Sequence, residues 1–176
     1  MRGMANSICV ILILKKQFGS MKFGMKRILF VCHGNICRSP MAEFVMKDLV
    51  KKQGLERDFL IESAATSCEE IGNPVYSPAR RKLSEHGIDC PGKTARQLQN
   101  NDYEKYDLII GMDRANLRNM YRICGGDFEE KMHLLMEYAG QMDREVADPW
   151  YTDDFDATWQ DVQAGCQGLL KALSKK

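Results

Sequence analysis

From Lys26 onward the chain alternates short apolar runs with longer segments of helical periodicity. Lys26-Arg27-Ile28-Leu29-Phe30-Val31, Phe59-Leu60-Ile61, Leu108-Ile109-Ile110 and Met132-His133-Leu134-Leu135-Met136 read as strands buried on both faces. Helices fall between them. One is expected from Pro40 to about Gln53, with Ser39 as N-cap, Pro40 at the first helical position and Gly54 as the stop. A second runs from Ser77-Pro78 to His86 and closes at Gly87. Asp113 caps a third, where Leu117, Met120, Tyr121 and Cys124 share a face before Gly125-Gly126. The last starts near Phe155 and aligns Phe155, Trp159, Val162, Cys166, Leu169, Leu170 and Leu173 in one stripe. Strands that alternate with helices in this way predict an α/β domain, a parallel sheet covered on both faces. Ligands of such sheets bind at the carboxyl ends of the strands.

A chain of 176 residues is long enough for one domain with a proper core. Its formal charge of +1 argues against nucleic acid or an anionic membrane surface as partner. The 7 cysteines, odd in number and irregularly spaced, form no disulfide framework and point to a reducing, cytoplasmic home. Residues 1–25 read differently from the rest. Ile8-Cys9-Val10-Ile11-Leu12-Ile13-Leu14 is too short to span a bilayer, and Lys15-Lys16 follows where a signal peptide would place small residues. The expected division is therefore an N-terminal extension over 1–25, outside the fold, and a single domain over 26–176.

The chemistry concentrates in Val31-Cys32-His33-Gly34-Asn35-Ile36-Cys37-Arg38-Ser39-Pro40, between the first strand and the first helix. A glycine-bearing turn there can direct several backbone N–H groups into one concavity at the positive end of a helix. Arg38 adds a planar fork that matches two phosphate oxygens. A cysteine in such a field ionises more readily than a free thiol, and Ser39 can donate to the thiolate. Together these parts make a phosphoryl-accepting nucleophile. Spacing is not the signal, because Cys-x5-Arg recurs from Cys90 to Arg96 with no strand before it and no Ser or Thr after it. A zinc site of Cys32, His33, Cys37 and His86 would follow no known ligand spacing, and Arg38 would repel the metal.

The segment Val31–Glu43 fits V-C-x-G-N-x-C-R-S-P-x-A-E at every fixed position, and so resembles the loop of the low-molecular-weight protein tyrosine phosphatases. Similar matches follow at Ser63-Ala64-Ala65-Thr66, His86-Gly87-Ile88, Ala95-Arg96-Gln97, Tyr106–Asp113 and Asp148-Pro149-Trp150-Tyr151. The resemblance spans roughly residues 26 to 173. It implies a doubly wound, four-stranded parallel sheet of order 2-1-3-4 and hydrolysis of phosphotyrosine in proteins, or of small aryl phosphates, with no metal or other cofactor. Cys32 would be the nucleophile and carry a phosphocysteine; Arg38 and the amides of His33, Gly34, Asn35, Ile36 and Cys37 would hold the phosphoryl oxygens. Asn35 would shape the loop, Ser39 stabilise the thiolate, and Ser63 and His86 support the loop by hydrogen bonds. Asp148 would be the general acid, a choice the residues alone do not make among Asp143, Asp148, Asp153, Asp154 and Asp156. Cys37 is either packing or the partner in a protective disulfide with oxidised Cys32. Cys68, Cys90, Cys124 and Cys166 read as structural, and Asp113 as a helix cap.

Trp150 and Tyr151 are either core aromatics or, as the resemblance implies, walls of the slot that receives a phenyl ring. Opposite them mammalian relatives carry an aromatic residue, whereas this chain has Ser67-Cys68-Glu69-Glu70. Glu69 and Glu70 make a poorer wall for an acidic phosphopeptide and a better one for a basic partner. Three other functions stand beside the phosphatase. Arginine phosphatases with this loop carry Thr where this chain has Ile36. Arsenate reductases of this fold need two further cysteines after the third strand, where Cys124 stands alone. A non-catalytic redox or anion-binding module would use Cys32 and Cys37 but have no use for a leaving-group acid.

Overall fold

The computed structural model describes residues 24–174. The expectation for residues 1–25 therefore lies almost wholly outside the described residues; the first strand begins at Lys26.

Four strands form one parallel sheet: β1 (Lys26–Cys32), β2 (Phe59–Ala65), β3 (Leu108–Gly111) and β4 (Met132–Leu134), in the order β2-β1-β3-β4. Helices in chain order are α1 (Arg38–Lys52), α2 (Ser77–Glu85), α3 (Asp102–Lys105), α4 (Arg114–Cys124), α5 (Leu135–Tyr138), α6 (Pro149–Thr152) and α7 (Phe155–Ser174). The order and the parallel pairing are those expected. β1 shows why its sequence is apolar without alternation. Ile28, Phe30 and Cys32 face a core shared with α1, α2 and α7, while Leu29 and Val31 face another built on Tyr103, Met120 and Cys124. Successive side chains of a strand point to opposite faces, and here neither face is wet.

α7 closes over α1 through the predicted stripe; Phe155, Trp159, Val162, Cys166, Leu169, Leu170 and Leu173 are all buried. Two glycines let it approach α5 closely. A Cβ on Gly168 would lie 2.0 Å from the Tyr138 carbonyl oxygen, and one on Gly165 would lie 2.4 Å from Leu135 Cγ.

Three expectations change. α1 starts at Arg38 rather than Pro40, and the residue before it, Cys37, makes no side-chain cap. Ser39 is not the N-cap because its hydroxyl is engaged with the Cys32 sulfur. Pro40 remains harmless, since a first-turn residue has no helical acceptor for an N–H. The apolar run at 132–136 is strand only to Leu134 and then turns into α5. Gly87 and Gly125 do close their helices, at φ of 73° and 78°.

Candidate active site

Cys32 ends β1, the central strand on which both neighbours pair, and lies at the carboxyl end of the sheet. The backbone then turns through Asn35, which holds φ at 59° with its side chain buried. Asparagine is one of the few non-glycine residues that occupy this region at modest cost. This conformation lets Asn35 bond in three directions. Its N–H donates to Cys32 Sγ at 3.3 Å; its amide group donates to Ser39 Oγ and Ser63 Oγ, each at 2.8 Å; its Oδ1 accepts from the Arg96 N–H at 3.2 Å. Ser39 Oγ lies 3.0 Å from Cys32 Sγ. The sulfur is thus held by a hydroxyl and an amide, at 3 % exposure.

Behind this shell sits a buried carboxylate. Ser63 donates to Glu43 Oε2 at 2.5 Å, and Lys93 pairs with the same oxygen at 3.0 Å while donating to the Ser63 carbonyl at 3.0 Å. Lys47 neutralises the other oxygen at 2.5 Å. A buried carboxylate requires such compensation. His86, expected to support the loop, is not brought to it: its ring stacks on Trp159 at 3.8 Å. Lys93 instead bonds to Ser63, the other residue expected in that role. Neither Lys93 nor Glu43 had been singled out. Glu43 carried a usable signal, an acid inside the matched loop motif on a buried helix face; Lys93 carried none.

Arg38 opens α1 and is 4 % exposed. Its Nη1 donates to Asp113 Oδ2 at 2.7 Å, and its Nη2 pairs with Asp148 Oδ2 at 2.6 Å. Burial alone would lower the guanidinium, but the charges of Cys32, Asp148 and Asp113 outweigh that and raise it above its ordinary value. Asp113 does cap α4, with Oδ1 accepting from the Asn116 N–H at 2.6 Å. Its second oxygen gives it a further place in the site that reading it as a cap alone had missed.

Asp148 is held as tightly. It is the N-cap of α6, accepting from the Trp150 N–H at 3.1 Å, and Thr152 Oγ1 donates to its carbonyl at 3.1 Å. The segment before it is pinned by Val146 N–H to the Met112 carbonyl and by Ala147 N–H to Asp161 Oδ2, both at 3.0 Å. Beside the sulfur, the Arg38 guanidinium therefore gathers carboxylates from two distant stretches of chain, Asp113 and Asp148.

Cys37 is buried beside them. Burial, then the Cys32 charge, pushes its thiol up to about 12, so it is protonated at neutral pH. Cys32, Cys37, Cys68, Cys90, Cys124 and Cys166 are all free thiols. Trp150 and Tyr151 are 60 % and 86 % exposed, which excludes the core reading. Trp150 packs against Tyr76 at 5.8 Å, an aromatic contact not foreseen in the sequence. Across the loop, His33 Nε2 lies 3.0 Å from Glu69 Oε2, and the side chain of Glu70 passes over Gly34, where a Cβ would come within 3.2 Å of its Cγ.

Among the described residues no three His, Cys, Asp or Glu side chains converge as a metal site requires. A depression of about 550 Å³ lies elsewhere, lined in part by Glu62, Arg96, Asp102 and Tyr106. Its charged groups are already paired, Arg96 with Asp102 at 2.9 Å and with Tyr106 Oη at 3.0 Å, so it offers no free reactive group. No helix among the described residues is long and apolar enough to cross a membrane.

Known proteins share this fold. The family model described as low molecular weight phosphotyrosine protein phosphatase matches residues 27–176. The low molecular weight protein-tyrosine-phosphatase YfkJ of Bacillus subtilis is 38 % identical over 155 residues, covering 86 % of this chain and 98 % of that protein. Its crystal structure superposes with a TM-score of 0.83 at 36 % identity, covering 87 % of this chain and 97 % of that one. The drosophila arginine phosphatase structure superposes with a TM-score of 0.77 at 28 % identity, covering 86 % and 97 %. A match that runs from the second residue of β1 through the whole domain settles the kinship: the chain belongs to the low molecular weight phosphotyrosine protein phosphatase family.

Proposed function

We propose that the protein hydrolyses phosphotyrosine in proteins, and small aryl phosphates, through a cysteinyl-phosphate intermediate and without a metal. The observation that carries this reading is the approach of Asp148 Oδ2 to within 2.6 Å of Arg38 Nη2, at the loop that holds Cys32. A nucleophile, an anion receptor and a proton donor are all within reach of one phosphoryl group.

The phosphoryl dianion takes the Arg38 fork and displaces the Asp148 carboxylate, which takes up a proton from solvent, while Cys32 reacts as the thiolate. The Cys32 sulfur attacks phosphorus; the bond to the aryl oxygen breaks, and Asp148 gives its proton to that oxygen. Arg38 and the loop N–H groups hold the three equatorial oxygens as charge redistributes. In the second step water attacks phosphorus and returns a proton to Asp148. The S–P bond breaks, and the thiolate and inorganic phosphate are restored. Ser39 and the Asn35 N–H, both on the sulfur, make it a good leaving group in this step.

Ile36 supports an aryl substrate over phosphoarginine, since it offers no hydroxyl for a guanidinium. The test is metal-free kinetics, with EDTA present, on one peptide carrying either phosphotyrosine or phosphoarginine. The expected result is turnover of phosphotyrosine that vanishes in Cys32→Ser. Preference for phosphoarginine reassigns the substrate, and turnover of neither favours a binding or redox module.

A further inference from the structure

The mouth of the site has two unlike sides, both fastened to the loop itself. On one side are aromatic rings: Trp150 and Tyr151, largely exposed, and Tyr76, whose ring packs on Trp150 and whose N–H donates to the Ile36 carbonyl at 2.9 Å. Tyr76 also leans on Phe155 at 6.3 Å, which braces this wall from beneath. On the other side is an acidic segment. The Thr66 N–H donates to the Cys32 carbonyl at 2.8 Å and the Ser67 N–H to the His33 carbonyl at 3.0 Å, so Glu69 and Glu70 start from fixed positions. Glu69 projects to 70 % exposure beside His33, and Glu70 is steadied by Asn73 Nδ2 at 2.6 Å.

Charge decides what such a mouth accepts. Arg38, the cation beneath it, is buried and already faces two carboxylates. The rim that meets the residues flanking a phosphotyrosine therefore presents Glu69, beside His33, and Glu70, held by the neutral Asn73. We propose that this rim is a specificity surface that selects phosphotyrosine flanked by lysine or arginine and disfavours acidic flanks. The inference rests on the phosphotyrosine reading above. Both carboxylates lie at the surface, where single ion pairs are weak and screened, so the preference is a bias rather than a gate.

The test uses three phosphotyrosine peptides that differ only in having Lys, Ala or Glu on both sides of the phosphotyrosine. Hydrolysis of a small aryl phosphate by the same wild-type preparation serves as the separate check. The readout is the ratio of kcat/KM for the Lys-flanked peptide to that for the Glu-flanked one, which cancels any general loss of activity in a variant. We expect a ratio of roughly 10 at low salt, declining toward 1 in molar salt, as screening of exposed pairs requires. Glu69→Gln/Glu70→Gln should bring it near 1, and Glu69→Lys/Glu70→Lys should invert it. If the aryl phosphate is hydrolysed but the ratio is near 1 in the wild type, or is unchanged in both variants, the specificity proposal is overturned while the phosphatase reading stands. If the aryl phosphate is not hydrolysed, the phosphatase reading fails first.

Discussion

Two segments of this chain carry Cys-x5-Arg, and they do opposite things. In the first, Cys32 ends a central strand and Arg38 begins a long helix, so sulfur and guanidinium share one concavity. In the second, Cys90 follows no strand. Arg96 turns away to Asp102 and Tyr106, while its backbone pairs with the edge of the sheet, the Ala65 N–H donating to the Arg96 carbonyl at 2.7 Å. Yet the second segment serves the first. Its Lys93 closes the Glu43–Ser63 shell, and the Arg96 N–H fixes Asn35. A motif is chemistry only where topology aims its side chains at one point; elsewhere the same spacing is scaffolding.

The sharpest way to break that contrast is to remove each cysteine. Cys32→Ser should lower kcat by about 10⁴-fold or more, as loss of a nucleophile does, whereas Cys90→Ser should leave it unchanged in the same assay. Exchanging the arginines comes next. Arg38→Lys should cost about 10²- to 10³-fold in kcat, because a point charge replaces a two-pronged receptor for developing charge; Arg96→Lys should show up in thermal melts, with a loss of about 1 kcal/mol, since the lysine keeps a charge beside the buried Asp102 but gives up the bond to Tyr106 Oη.

Asp148→Asn separates two roles of one residue. Steady-state kinetics should show kcat lower by about 10²- to 10⁴-fold, the usual worth of a general acid. Inorganic phosphate should nevertheless inhibit more tightly, since no carboxylate then competes for Arg38 Nη2. Weaker phosphate inhibition would mean that the acid does not contend with the substrate for the guanidinium. Lys93→Met probes the scaffold. It should destabilise by about 2 kcal/mol in denaturant titration, less than the usual 3–5 for a broken buried pair because Lys47 remains on Glu43.

The smallest effect, absent at neutral pH, concerns Cys37. Its thiol is raised from 9.0 to about 12, so the folded state holds that proton more tightly than the unfolded chain. The stabilisation is complete below pH 9 and is lost as pH climbs toward 12. Cys37→Ala should flatten the decline in melting temperature over that window, and an unchanged slope would assign the alkaline loss to other groups.

Most of the frame was legible because it follows from local pattern. β1, with apolar residues at consecutive positions, is the mark of a strand between two layers, and the α7 stripe is a matter of helical spacing. The loop was legible because its residues are contiguous. What could not be read depends on partners far apart in the chain. Arg38 meets Asp113 across 75 positions, and Lys93 meets the Ser63 carbonyl across 30. Ser39 illustrates the limit well: its place before a proline at a helix start predicts a cap, and only the approach of Cys32 Sγ redirects its hydroxyl. Similarly, Tyr76 has no sequence mark as a wall until Trp150 is brought against it.

The first described strand and the first helix are both joined to the last helix, the strand by Lys26 Nζ donating to the Leu173 carbonyl at 2.6 Å and α1 by Cys166 Sγ reaching the Ala42 carbonyl at 3.6 Å. β1 also needs β3, some eighty residues downstream, before its second edge is paired. A chain leaving the ribosome thus carries its complete Cys32–Arg38 loop long before it can close the pocket around it. Such non-local closure is slow and leaves apolar edges exposed meanwhile. Forms that lack α7 should therefore be inert toward phosphate esters, so that catalysis itself reports that the last helix has been made and docked.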